Sequence, residues 1–413
     1  MKQITVLGGS SVSTPGLVLA LRDLAPDGEI HVQLHGRSPK KLELVYKACQ
    51  FAASGTSITV DHHTDLAKCL DGADVILNQV RVGGLEGRKF DEQFPPILGL
   101  LGEETIGAGG FSNALRTIPV VLDICEVIRQ RAPTATIVNL TNPASLVHQA
   151  ISRFAGLDII SICDIPVTLG LWVHQALDAP AGSIEVDYLG TNHMGWVTAA
   201  RDLRAGGNDR LDDVLANIQD IPRYPFDADW VRALGVMPGM YLRYIYDRTW
   251  SPAQDPQGRT RADELLEIEV KMLQAYGQMP SDAQSVQVAQ ILSMRSPHWY
   301  AEIVAPLVDS LVSARSRRLI VQMTNEGRVP GLEYESVVEA PAIVTDSEIA
   351  LEAPVPLPRD CHALLVQNAV YEGLAVESIV ERDRGKAIRA LTINPLVGIV
   401  DQAKAVLDEV WPW

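Results

Sequence analysis

Short apolar runs, each released into a turn of small or polar residues, constrain this chain more than any other feature of its sequence. Residues 4–7 run directly into Gly8-Gly9-Ser10-Ser11, and an apolar helical stretch over 15–24 follows. Further apolar runs at 30–34, 74–77, 136–140 and 159–162 alternate with helical segments. Such alternation predicts an α/β fold with a doubly wound parallel sheet. Ligands of these sheets bind beyond the carboxyl ends of the strands. Function is therefore expected in Asn78-Gln79-Val80-Arg81, Thr141-Asn142-Pro143 and Cys163-Asp164-Ile165-Pro166, each of which follows a strand.

Beyond about residue 166 the pattern changes. A strand over 184–189 leads into Gly190-Thr191-Asn192-His193, and 201–225 is polar, a helix with loops. Residues 265–276 and 286–294 have helical periodicity, 319–323 and 336–344 read as strands of a separate sheet, and 361 onward reads as helices. The expectation is a Rossmann-like dinucleotide domain over 1–165. An α+β domain is expected over 166–413.

Charge and cysteine usage narrow the function. A net charge of -16 argues against a nucleic-acid partner, whose phosphates need clustered Lys and Arg. An anionic substrate would need an arginine pocket to overcome that field. No apolar run reaches the ~20 residues of a membrane helix, and Met1-Lys2-Gln3 enters the first strand with no expected leader. The five cysteines are odd in number and scattered. They are expected as reduced thiols in the cytoplasm.

Two sites stand out. Gly8, Gly9, Ser10 and Ser11 join the first strand to the first helix, with Thr14-Pro15 opening that helix. Small residues admit a pyrophosphate to the backbone, and the helix start offers free N–H groups. Val80, Asn139 and Thr141, at strand ends, are assigned to the same cofactor site. The second strand ends in Leu34-His35-Gly36-Arg37-Ser38, without the Asp or Glu that usually holds the ribose of NAD. Arg37 is either a contact to a 2′-phosphate or the adenine face, which keeps NADP open beside NAD+, or a solvated turn residue. Cys163 and His193 supply a thiolate and an imidazole, enough for a two-ligand transition-metal site with open positions. Each taken alone also reads as a core or turn residue.

The ordered motifs resemble glycoside hydrolase family 4, the NAD- and metal-dependent glycosidases that depart from the two-carboxylate mechanism. They include Arg81-Val82-Gly83-Gly84-Leu85-Glu86-Gly87-Arg88, Asp91-Glu92-Gln93, Gly102-Glu103-Glu104-Thr105, Gly107-Ala108-Gly109-Gly110, Tyr241-Leu242-Arg243-Tyr244, Thr260-Arg261-Ala262 and Asn394-Pro395-Leu396-Val397. The resemblance implies a lactate/malate dehydrogenase-like arrangement and a homodimer or homotetramer, with the domain over 166–413 carrying substrate, metal and oligomer contacts. It implies Cys163 and His193 as ligands of Mn2+ or another divalent ion. Asp164 is implied as the acid for the leaving group, and Tyr241 as the base, with Tyr244 and Tyr246 as alternatives. Arg88, Asn142 and Arg261 are implied as the substrate clamp, Arg261 otherwise being a surface ion-pair residue.

The implied reaction oxidises C3 with NAD+, removes the C2 proton, expels the C1 group, adds water and re-reduces C3. Cys163-Asp164-Ile165-Pro166 resembles the 6-phospho-α-glucosidases, which implies an α-glycoside with an anionic C6 group. A sulfonate, as in the related NAD-dependent sulfoquinovosidases, is the first alternative. A plain sugar or hydroxy-acid dehydrogenase is the second, and a non-catalytic dinucleotide sensor the third.

Overall fold

The structure is a computed structural model that describes residues 1–25, 28–247 and 258–413. Six parallel strands build the first half: β1 (Lys2–Leu7), β2 (Ile30–His35), β3 (Ile58–His63), β4 (Val75–Asn78), β5 (Thr136–Asn139) and β6 (Ile159–Ser161). They lie in the order β3-β2-β1-β4-β5-β6, the doubly wound order expected. All four residues of β4 are buried, which is why its first three, Val75, Ile76 and Leu77, read as an apolar run before Asn78. The helices α1 (Thr14–Leu24) and α2 (Pro39–Ala53) each open on a proline, whose missing N–H is no loss in a first turn.

The second half departs from expectation in an unpredicted strand over 194–202 and in the way its second hairpin joins the sheet. β7 (Ile184–Thr191) and β8 (Met194–Asp202) form a hairpin closed by Asn192 and His193. The short β9 (Asn208–Asp209) and β10 (Met237–Pro238) pair with β8. β11 (Arg317–Thr324) and β12 (Val337–Val344) form a second hairpin, edged by β13 (Ile349–Leu351). This hairpin is no separate sheet. β11 joins β6 at Gln322↔Ser161, and β12 joins β7 at Glu339↔Gly190, so one mixed sheet runs through both halves. Gln322 also faces Glu339 across the β11–β12 ladder. A single row, Ser161, Gln322, Glu339 and Gly190, thus stitches the halves together. Its three side chains are fully buried and polar, and Gln322 Nε2 donates to Glu339 Oε1 at 2.9 Å.

Helices of the second half also complete the core of the first. Tyr276, Val288, Leu292, Tyr300 and Val304 pack with Leu17, Val18 and Leu21 of α1. The Tyr276 hydroxyl donates to the Val12 carbonyl at 2.8 Å. The helix Arg359–Glu381 is long and apolar enough to cross a membrane by length and composition alone. Half of its apolar window is buried inside the protein, as in a core helix.

Glu372, in that helix, is buried and accepts from Asn368 Nδ2 at 3.1 Å. Burial, more than any neighbour, pushes its carboxyl up from 4.5 to about 8. The folded state therefore holds this proton longer than the unfolded chain. The stabilisation is fully present below about pH 4.5 and drains away as pH rises through about 8. Glu372→Gln should melt a few degrees above the wild type at pH 8.5 and close to it at pH 5. A melting difference that ignores pH would contradict this account.

Candidate active site

The carboxyl ends of the parallel strands open onto a cleft of ≈ 800 Å³. Gly8 lies in it at φ +82°, and a Cβ there would come within 2.7 Å of the Gln79 carbonyl, so only glycine fits. Ser10, Ser11, Arg37 and Val80 also line the cleft. Gln79 Nε2 donates to the Gly8 carbonyl and to Thr14 Oγ1, at 3.3 and 3.0 Å, pinning the turn beside β4. Ser13 Oγ, at the start of α1, is buried with no hydrogen-bond partner among the described residues. Small side chains, an orphaned hydroxyl and a helix start suit a pyrophosphate.

Three residues assigned to this site by sequence do not line the cleft. Gly9 faces Leu34, and its N–H donates to the His35 carbonyl at 2.7 Å. Asn139 is fully buried, and its Oδ1 accepts from Asn78 Nδ2 and the Thr141 N–H, at 2.9 and 3.1 Å. Thr141 Oγ1 donates to the Val80 carbonyl at 3.0 Å. These residues brace the strand ends and hold Val80 and Asn142, which do line the cleft.

At the other end of the cleft lie Cys163, Asp164, His193 and Tyr241. Cys163 stands two residues past β6, and His193 sits at the tip of the β7–β8 hairpin at φ +65°. Left-handed backbone is uncommon for histidine and costs of order 1–3 kcal/mol, which marks the turn as built for position. Gly195, just past the turn, leaves room for Tyr188, whose hydroxyl a Cβ there would strike. The His193 ring stacks on Tyr241, with centroids 4.2 Å apart and planes at 12°.

The tautomer of His193 follows from its partners. Thr105 Oγ1 donates to Glu103 Oε1 at 3.1 Å and lies 3.0 Å from His193 Nδ1. The hydroxyl has one proton, so with Glu103 taking it, Nδ1–H is the donor and Nε2 keeps its lone pair. Burial lowers His193 to about 4, against the pull of Asp164 and Glu104, so the ring is neutral at pH 7. Burial, with Glu339 and Asp164, holds the Cys163 thiol well above its ordinary range. Its Sγ lies 3.7 Å from Asp164 Oδ1. A buried thiol and a neutral imidazole fit a transition-metal ion once the thiol proton is displaced. Among the described residues no cluster of three or more His, Cys, Asp or Glu forms a metal site. Cys163 and His193 line the same cleft and do not by themselves make such a cluster.

Charge crowds the wall between the two ends. Glu104 is buried between Arg81 and Arg88, and Arg88 Nε meets Glu92 Oε1 at 2.6 Å. Burial foremost pushes the Glu103 carboxyl up to about 7. Arg88 and Asn142 face the cleft as expected. Arg261 does not line it. The residue opens a helix capped by Thr260, its side chain is 56% exposed, and it pairs with Glu264.

Sequence reading missed Arg295, which lines the cleft and lies over the Trp299 ring at 5.4 Å. Arg295 has no carboxylate partner among the described residues. Burial foremost, then the charge of Arg81, lowers its pKa. No motif marks it; only a cation left unpaired in a cleft does, and that is visible in the fold alone.

Comparison with known proteins decides the family. Residues 3–179 match the model described as family 4 glycosyl hydrolase, and residues 188–397 match its C-terminal domain. The chain belongs to glycosyl hydrolase family 4. This family 4 chain is 30% identical to a Bacillus subtilis (strain 168) protein named "Probable 6-phospho-beta-glucosidase", over 99% of this chain and 95% of the other. It superposes with a TM-score of 0.89 on the 6-phospho-beta-glucosidase of Thermotoga maritima, solved with manganese, NAD+ and glucose-6-phosphate. Identity there is 26%, over 99% and 97% of the two chains. A 6-phospho-alpha-glucosidase from gut microorganisms, solved with NAD and Mn2+, gives a TM-score of 0.86 at 26% identity over the same shares. A lactate dehydrogenase from a Medee basin deep-sea metagenome library, 13% identical over 92% and 99% of the two chains with a TM-score of 0.57, shares the fold alone. The family 4 chain is thus a glycosidase on a dehydrogenase-like frame.

Proposed function

We propose that this glycosidase hydrolyses a 6-phosphoglucoside, with an α-linkage as the first choice, using a nicotinamide dinucleotide and a divalent metal. The observation that carries the reading is the stacked His193–Tyr241 pair in one cleft with Cys163, Asp164 and the Gly8 turn. When bound, the dinucleotide supplies a reversible hydride acceptor and the metal a Lewis acid. Cys163 and His193 would hold the metal through Sγ and Nε2. Tyr241 Oη takes the proton from C2 of the sugar. Asp164, 38% exposed, faces the solvent side where a leaving group departs, and it donates the proton to that oxygen. Arg88 and Arg295 meet the C6 anion, Arg295 as a cation with no carboxylate to displace.

The test is a panel of aryl α- and β-glucosides with hydroxyl, phosphate, sulfonate or carboxylate at C6, assayed with Mn2+ and dinucleotide. The 6-phospho-α-glucoside should give the highest kcat/KM, without net NADH. A sulfonate preference would make the enzyme a sulfoquinovosidase, and NADH formed one for one would make it a dehydrogenase. Within the panel, Arg295→Ala should lose about 1.5–3 kcal/mol of a charged hydrogen bond, about ten- to hundredfold, on the phosphate substrate alone. Arg261→Ala should lose far less. Equal losses on phosphate and hydroxyl substrates would remove Arg295 from the anion pocket.

A further inference from the structure

The adenosine end of the cleft lacks what an NAD+ ribose needs. From His35 to Lys41 the chain has no Asp or Glu to accept hydrogen bonds from the ribose hydroxyls. It has instead Arg37, Lys40 and Lys41. This segment is seated on the dinucleotide turn. The Gly9 N–H donates to the His35 carbonyl, and a Cβ on Gly36 would come within 3.0 Å of Ser10 Cβ. Arg37 and Ser38 therefore line the cleft next to Ser10 and Ser11, where a ribose adjoining the pyrophosphate would lie.

The neighbouring carboxylates are already taken, whereas the Arg37 guanidinium and the Ser38 hydroxyl are not. Glu269, a carboxylate on the cleft wall, is held by Lys41 at 2.8 Å. Asp65 caps its own helix through the Ala67 N–H at 3.0 Å. Arg37 has no hydrogen bond or ion pair with any described residue, and the Ser38 hydroxyl caps nothing. A guanidinium beside a free hydroxyl, with no carboxylate facing them, matches a phosphate monoester and leaves a bare ribose diol without an acceptor.

We propose that Arg37 and Ser38 receive the 2′-phosphate of NADP+, and that the cleft binds NADP+ more tightly than NAD+. The inference rests on the dinucleotide reading of the cleft, so the test reads binding rather than turnover. Quenching of tryptophan fluorescence by NADP+ and by NAD+ gives two Kd values for the full-length protein. NADP+ should bind at least tenfold more tightly. Arg37→Ala should weaken NADP+ at least tenfold and leave NAD+ within threefold. Arg37→Asp should reverse the preference by supplying a ribose acceptor. Tighter NAD+ binding in the wild type, or an NADP+ affinity indifferent to Arg37→Ala, overturns the inference while leaving the glycosidase reading intact. A protein that binds neither dinucleotide overturns both.

Discussion

Cys163→Ser should lower turnover by at least about three orders of magnitude, the scale of several kcal/mol of Lewis-acid stabilisation. The same change should abolish the response to Mn2+. The thiol is buried, its proton tightly held, and its Sγ lies 3.7 Å from Asp164 Oδ1. Nothing in the packing requires sulfur there, so serine keeps the fold and removes only the soft donor. Dialysis of the wild type against EDTA should produce the same inactive state, and added Mn2+ should restore it. In the variant Mn2+ should restore nothing, while dinucleotide affinity stays unchanged. Because a proton leaves as the metal arrives, wild-type Mn2+ affinity should rise with pH. Full activity in metal-free wild type would end the two-donor reading.

Tyr241→Phe should cost roughly 10²–10⁴ in kcat, the range for losing a general base, and should stop wash-in of solvent deuterium at C2. Phenylalanine keeps the ring that stacks on His193, so metal binding should survive. Burial, then Glu103, Tyr244, Cys163 and Asp164, raises the Tyr241 phenol well above its ordinary value. Every one of those neighbours makes the phenolate harder to form, so the residue can act as a base only beside a bound cation. Tyr244 is the control. It is edge-on to Tyr241 with centroids 5.7 Å apart, lies outside the cleft lining, and should tolerate Phe. Undiminished exchange in Tyr241→Phe would move the base to another group.

Sequence pattern showed the parts of the fold in which burial is continuous. β1, β4 and α1 are apolar runs with a glycine turn or a proline start, and such runs have few alternative meanings. β3 was illegible because its exposed edge carries Asp61, His62 and His63. β8 was missed because Gly195, Thr198, Ala199 and Ala200, small residues with little periodic signal, flank its short apolar pair Trp196-Val197. The β11–β12 hairpin was misplaced because its union with the main sheet rests on single residue pairs, which no periodicity records. At the site, Cys163, Asp164, His193 and Tyr241 followed from motifs that the fold brings into one cleft. Asn139 and Thr141 look like cofactor contacts in sequence because they end a strand. Only their hydrogen bonds show that they brace it.

The polar row across the sheet has a consequence for how this enzyme can change. Cys163 hangs two residues beyond Ser161, and His193 three beyond Gly190, so both proposed donors are suspended from opposite ends of the same four-strand crossbar. Their separation is therefore gauged by Gln322 and Glu339, two side chains buried behind the catalytic chamber. If Cys163 and His193 hold an ion as proposed, substitutions at that pair, which lies outside the cleft lining but bears on the Cys163 thiol, should retune the grip on it.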